Sequence, residues 1–401
     1  MKYNFDEVID RRGTYSAKWD ALSMMKKAGM VNATIDDETI PMMTADMDLR
    51  TAQPILDALH KTVDQKMFGY TMPIAGPEYA QAVCRWFKVH HDWEITPDEV
   101  FFSNGTFDAL GVAVNAFSNE NNGIIICRPV YGHFTQAIVD DWHRKPVSSH
   151  LIADENGYYT INFEDLEEKC ADPNNKILIW CSPANPIGRV WTVEELQKVA
   201  AICKKHDVLV LSDEVHCDLL RKGVKHHPFS SIVEDKSNII VLTAINKSFN
   251  LAGLACSNAI IEDPELRAKF SKAYGMRMAN PFSIQALIAA YNEGDEWMDQ
   301  VNEYIDGNID WLIDFLHKEM PKVKVWRPEG TYTLWLDFRA YGLSDEEVHD
   351  RIYNKAKVLL QDGLVHDPDE GQCFQRVCVP CARSVLKTAF ERIAAQFADC
   401  K

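Results

Sequence analysis

In the run Thr243-Ala244-Ile245-Asn246-Lys247-Ser248-Phe249, a lysine comes shortly after Asn238-Ile239-Ile240-Val241-Leu242, an apolar, β-branched stretch that reads as a buried strand. A lysine on a loop at the end of a core strand lies where open α/β sheets bind ligands. An amine held near an apolar wall can lose its proton and act as nucleophile or base. A surface lysine on a connecting loop is the competing reading, and the other polar residues at strand ends decide between them.

Four further loops carry such residues. Ser182-Pro183-Ala184-Asn185-Pro186-Ile187-Gly188 stops a strand and displays Asn185, whose amide can donate to a phenolic oxygen; a plain turn asparagine is the alternative. Ser212-Asp213-Glu214-Val215-His216 ends another apolar run. A carboxylate buried at a strand end needs a partner, and a pyridinium nitrogen would serve Asp213, with His216 in reach of the same ring. Helix capping is the other use for Asp213. Ser103-Asn104-Gly105-Thr106-Phe107-Asp108 joins a strand to a helix. Gly105 permits close backbone approach, Thr106 offers a hydroxyl, and the helix start at Phe107 favours an anion. Tyr131, after Pro129-Val130, offers a face for stacking. A phosphate cradle, a stacking ring, a donor to a phenol oxygen, a carboxylate for a pyridinium and a lysine together describe a pyridoxal phosphate site.

The elements that must position these residues follow from the pattern. Apolar strands are predicted at 123–127, 176–181, 208–211, 239–242 and 258–261, interleaved with helices such as 78–89, 107–117 and 193–206. The last shows its buried face as Leu196, Val199, Ala200 and Cys203. Strand–helix alternation without period-2 strands predicts an α/β fold with a mostly parallel sheet covered by helices on both faces. After about residue 290 long helices (296–319, 384–399) flank strands at 324–326, 331–338 and 374–379, which predicts a smaller α+β domain. The expected organisation is therefore an N-terminal segment, 1–47, packing on the small domain or a partner subunit, a large cofactor-binding domain, 48–290, and a small C-terminal domain, 291–401.

Composition narrows the classes. The net charge of −17 speaks against a nucleic-acid partner. No run reaches the length of a membrane span, and the N-terminus lacks the apolar core of a signal peptide. Eleven cysteines, several in apolar surroundings such as Cys127, Cys181 and Cys203, read as buried free thiols rather than a disulfide framework. Cys378-Val379-Pro380-Cys381 has the spacing of a redox motif or of half a zinc motif and no second pair, so no metal is expected. A cytoplasmic protein is the expectation.

Over essentially its whole length the chain resembles the fold-type I, class I/II aminotransferase superfamily of pyridoxal phosphate enzymes, and within it the cystathionine β-lyase (C–S lyase) subgroup with the cystalysin-like enzymes. The resemblance rests on Arg11-Arg12-Gly13-Thr14, Lys18-Trp19-Asp20, Ala45-Asp46-Met47-Asp48, Phe68-Gly69-Tyr70-Thr71, 182–191, 212–216, Glu329-Gly330-Thr331-Tyr332 and Trp335-Leu336-Asp337-Phe338-Arg339. It implies that Lys247 carries the cofactor through its amine, Asp213 pairs the pyridinium, Asn185 bonds the ring phenolate and Tyr131 stacks on the ring. It also implies that Tyr70 reaches the cofactor phosphate of a neighbouring subunit in a homodimer. Arg376 would bind the substrate α-carboxylate, although its residues alone suggest a surface ion pair, and Ala45 would line the substrate site.

Departures from the transaminase pattern point to the lyases. His216 stands where many aminotransferases have tyrosine, and Leu251-Ala252-Gly253-Leu254-Ala255-Cys256 lacks the arginine that grips phosphate in transaminases. Ala244 offers no hydroxyl. Tyr131-Gly132 departs from the lyases themselves, which tend to have two adjacent aromatics here, and the glycine is expected to widen the pocket on the leaving-group side. The reading is a lyase acting on an amino-acid substrate, a cysteine S-conjugate such as cystathionine, and releasing a thiol, pyruvate and ammonia. An aminotransferase, or a regulatory protein on a lyase scaffold, is the alternative.

Overall fold

Seven strands carry the centre of the larger layer in a computed structural model that describes residues 3–29 and 33–400. In chain order they are β1 (Val100–Ser103), β2 (Gly123–Arg128), β3 (Lys145–His150), β4 (Asn175–Cys181), β5 (Leu209–Asp213), β6 (Ile239–Ala244) and β7 (Ser257–Ile260). Across the sheet the order is β1-β7-β6-β5-β4-β2-β3. Neighbours from β6 to β3 are parallel. β7 runs against both β6 and β1. Two reversals restore the direction, so β1 ends on the same edge as β2, β4, β5 and β6.

The apolar strands are buried on both faces. Along β6, Ile239 and Val241 join the core on one side while Ile240 and Leu242 join it on the other. Each such buried side chain contributes about 1.5–3 kcal/mol. Helix α1 (Thr106–Phe117) covers one face through Ala109, Leu110 and Ala113. Helix α2 (Val193–Lys205) covers the other through the predicted Leu196, Val199, Ala200 and Cys203, and starts with a capping box of Thr192 and Glu195.

A second sheet holds β8 (Lys324–Val325), β9 (Thr333–Asp337), β10 (Gln361–Asp362) and β11 (Phe374–Cys378) in the order β8-β9-β11-β10, all antiparallel. Helices α3 (Asp295–Glu319) and α4 (Arg383–Ala395) pack on each other and share its hydrophobic core. Trp297, Val301, Ile305, Ile309, Leu312 and Leu316, three or four apart, form the buried stripe of α3. Ile40–Pro41 pairs in parallel with Val358–Leu359, and Cys378 N–H donates to the Met42 carbonyl at 3.0 Å. The segment after residue 42 thus leaves the small sheet toward the edge of the large one.

One element lies outside the predicted set. β3 has no apolar signature, because Lys145 and Pro146 lie exposed on an edge strand. β7 is the antiparallel member of the sheet predicted as mostly parallel. Its residues are buried on both faces like those of its neighbours, so burial alone does not encode its direction.

Candidate active site

The strand-end loops meet. Gly105, Thr106, Phe107, Tyr131, Asn185, Asp213, His216 and Lys247, with Ala45, all line one cavity of about 230 Å³. β6 runs directly into a single helical turn, Ile245–Ser248, which aims Lys247 inward. Its Nζ donates to the Ala45 carbonyl at 2.8 Å. Burial is the main cause that pushes the amine below its ordinary value of 10.5; Arg376 acts the same way, against Cys378, Asp46 and Asp213. A surface lysine is thereby excluded.

Asp213 ends β5 fully within the protein. A turn, not a helix, follows it, and its Oδ1 accepts one long bond from Val215 N–H at 3.3 Å. Burial pushes its carboxyl up to about 7, while Val215 N–H and Lys247 pull the other way. Such a carboxyl lacks a cation. Burial, helped by Lys247 and Arg376, also holds His216 well below the ordinary imidazole value, so His216 is neutral at neutral pH. Its Nδ1 is buried without a partner.

Gly105 adopts φ +95°, a conformation that side chains rarely take, and α1 begins immediately after it. The first N–H groups of a helix have no partners within it, so the cradle suits an anion. Asn185 accepts from Arg376 Nη1 through Oδ1 at 3.2 Å, which leaves its amide N–H groups for the cavity. Arg376 also donates to the Met43 carbonyl and is only 2 % exposed. No carboxylate pairs with it among the described residues, so the surface ion pair that its neighbours in sequence suggest is not formed. It stands behind Asn185, on β11 of the small sheet, with Nε unbonded.

Tyr70 lies outside the cavity of its own chain, 92 % exposed in an irregular segment with exposed Met67 and Phe68. One expectation does not hold. Gly132 does not widen the pocket. A Cβ there would stand 2.0 Å from the Val365 carbonyl oxygen, so the space beside it is filled by the backbone after β10. The glycine permits that close approach, and substrate room is set elsewhere.

Sequence reasoning missed other residues at the cavity. Asn246 lines it with its buried Oδ1 unbonded, and adjacency to Lys247 was the available signal. Cys181, at the end of β4, also lines it; burial raises its thiol to about 12. Tyr332, quoted in a motif but given no role, donates to the Ala45 carbonyl at 3.0 Å. Cys378 and Cys381 are buried free thiols.

A buried carboxylate short of a cation, an anion cradle, an aromatic ring and a half-buried amine, all on one cavity, fit a flat, phosphorylated pyridine aldehyde. This arrangement is that of a known class. The model of the family "Aminotransferase class I and II" matches residues 39–393, and the chain belongs to that family. Among relatives, it is 39% identical to cystathionine beta-lyase PatB of Bacillus subtilis, over 98% of this chain and 99% of that protein. Among solved structures, cystalysin from Treponema denticola, which contains pyridoxal 5′-phosphate, superposes with a TM-score of 0.92 at 35% identity over the whole of both chains. The pyridoxal phosphate-bound C–S lyase of Staphylococcus hominis gives 0.89 at 33% identity over 99% of each chain.

Proposed function

We propose that the protein is a pyridoxal 5′-phosphate-dependent cysteine-S-conjugate β-lyase of the cystathionine β-lyase type. The observation that carries it is the buried, cation-starved Asp213 facing Lys247 across one cavity, in a chain similar end to end to C–S lyases.

Lys247 would hold the cofactor aldehyde, Asp213 its ring nitrogen, Asn185 its phenolic oxygen, and Gly105, Thr106 and Phe107 its phosphate, with Tyr131 and His216 against the ring. When bound, the cofactor supplies an electron-withdrawing ring that stabilises negative charge at the substrate Cα. The chain supplies the rest. Arg376, behind Asn185 and with Nε unbonded, would supply the guanidinium for the α-carboxylate. Lys247 Nζ would be released from the aldehyde when the substrate amine takes its place, and, favoured in its neutral form by burial, would then accept the α-proton. Neutral His216 places no second cation beside it. Loss of the β-thiolate and addition of water then give thiol, pyruvate and ammonia.

The partner is a second copy of the chain. Met67, Phe68, Tyr70 and Ile74 are large apolar side chains exposed within eight residues of chain, surface that a partner copy would cover, and Tyr70 would reach the neighbour's phosphate cradle. Mixing inactive Lys247→Ala and Tyr70→Phe subunits should restore about a quarter of the activity if the site is shared in a two-fold dimer. Among the described residues no helix is long and apolar enough to cross a membrane, and the eleven free thiols support a reducing, cytoplasmic setting.

The test is a direct partition. The purified protein with cystathionine should release pyruvate and ammonia much faster than it transfers an amino group to any of several keto acids. Faster transfer would make it an aminotransferase.

A further inference from the structure

The segment Ala45-Asp46-Met47-Asp48 is held by an unusual number of buried bonds. Asp48 Oδ1 accepts from Arg11 Nη1 at 3.1 Å and Trp19 Nε1 at 3.0 Å, and Oδ2 accepts from the buried Lys18 Nζ at 2.7 Å. Arg11 also pairs with Asp46 Oδ2 at 2.8 Å. From the other side Asn250 bonds both the N–H and the carbonyl of Met47, at 2.9 and 2.8 Å. The segment is thus a rigid strap fixed on one side to the N-terminal motif residues and on the other to the loop of Lys247. What it presents to the cavity is the Ala45 carbonyl. That oxygen takes two donors, Lys247 Nζ at 2.8 Å and Tyr332 Oη–H at 3.0 Å.

We propose that Tyr332 is a positioning residue for Lys247, acting through the Ala45 carbonyl that the two side chains share. The proposal rests on Lys247 being the reactive amine. A carbonyl oxygen has two lone pairs. With Tyr332 on one of them, the oxygen holds the amine in place but offers it less electron density, and the hydroxyl proton lies on the amine's side. Both effects disfavour the ammonium and favour the neutral base. Tyr332 is itself fixed, buried to 1 % exposure with its ring edge-on to His216 at 5.3 Å. The other groups whose charge acts on Lys247 are Asp213 of β5, Asp46 of the strap, and Arg376 and Cys378 of β11, while Lys247 in turn acts on His216. Among the described residues none of these bonds to the Ala45 carbonyl, so removing the hydroxyl changes one hydrogen bond only.

The experiment uses cofactor-free protein, so the loaded enzyme's activity is not the readout. Trace acetylation with acetic anhydride across a pH series, quantified on the Lys247 peptide by mass spectrometry, gives the midpoint at which this amine becomes reactive. Tyr332→Phe should raise the midpoint by about half a unit to one unit, the shift expected from one net hydrogen bond. 3,5-Difluorotyrosine in place of Tyr332, a stronger donor of the same shape, should lower it. Should Tyr332→Phe not fold, the fluorinated protein decides alone. A wild-type midpoint below the ordinary lysine value that neither replacement moves, or that moves the opposite way, overturns the role of Tyr332. A wild-type midpoint at the ordinary lysine value defeats the reading of Lys247 itself, and this proposal with it.

Discussion

Asp213 and Asp218 leave the same strand end and are both buried, yet their surroundings are opposite. Asp218 accepts from Trp86 Nε1 at 2.9 Å, His91 Nε2 at 2.8 Å and Ser248 Oγ at 2.6 Å. Burial alone would raise its carboxyl, but these bonds outweigh it and hold the group at about 2. Asp213 has one long backbone bond and is pushed by burial up to about 7. Ser248 and Lys247 are adjacent, so the satisfied carboxylate braces the loop whose lysine faces the unsatisfied one. A buried polar group with every partner in place is structural, whereas one left short of partners inside a cavity is reserved for a ligand.

The contrast can be broken from either side. Asp218→Ala leaves three buried donors without an acceptor and should cost about 3 kcal/mol or more of stability, read by denaturant unfolding. Asp213→Asn should instead leave the fold intact and weaken cofactor binding about 100-fold, because it removes one partner of a buried charge pair. An equal loss of stability in the two variants would erase the distinction.

Their pH dependences should also oppose. In the cofactor-free protein Asp213 keeps a proton that the unfolded chain releases above its ordinary value of 3.8. Its contribution to stability is therefore full below that value and lost as pH rises through about 7. The folded pKa of Asp218 is depressed, so its contribution is present above the ordinary carboxylate value and lost as pH falls toward about 2. Unfolding of cofactor-free wild type and Asp213→Asn between pH 4 and 8 should show the first slope in the wild type only. The smallest effect lies outside both carboxylates. Gly132→Ala should cost about 1–3 kcal/mol through its clash with the Val365 carbonyl, with no change in leaving-group preference.

The sequence was most legible where burial and chemistry coincide. Long apolar runs mark β2, β4, β5 and β6, and the polar residues that follow them line the cavity. The edge strand β3 was not legible, since its polar Lys145–His150 run reads like a loop. Arg376 and Tyr332 lie on the small sheet side, more than 80 residues from Lys247 in the chain, and no local spacing reports that they meet it. Gly132 was misread for the same reason, because the atoms that demand a glycine there belong to Val365.

Pyridoxal 5′-phosphate in this cavity should be carried by Lys247 and by no other lysine. Protein incubated with the cofactor, reduced with borohydride and digested should yield a phosphopyridoxyl group on the peptide containing Lys247, and none in Lys247→Ala. Cofactor fixed to another lysine, or to none, would contradict the account.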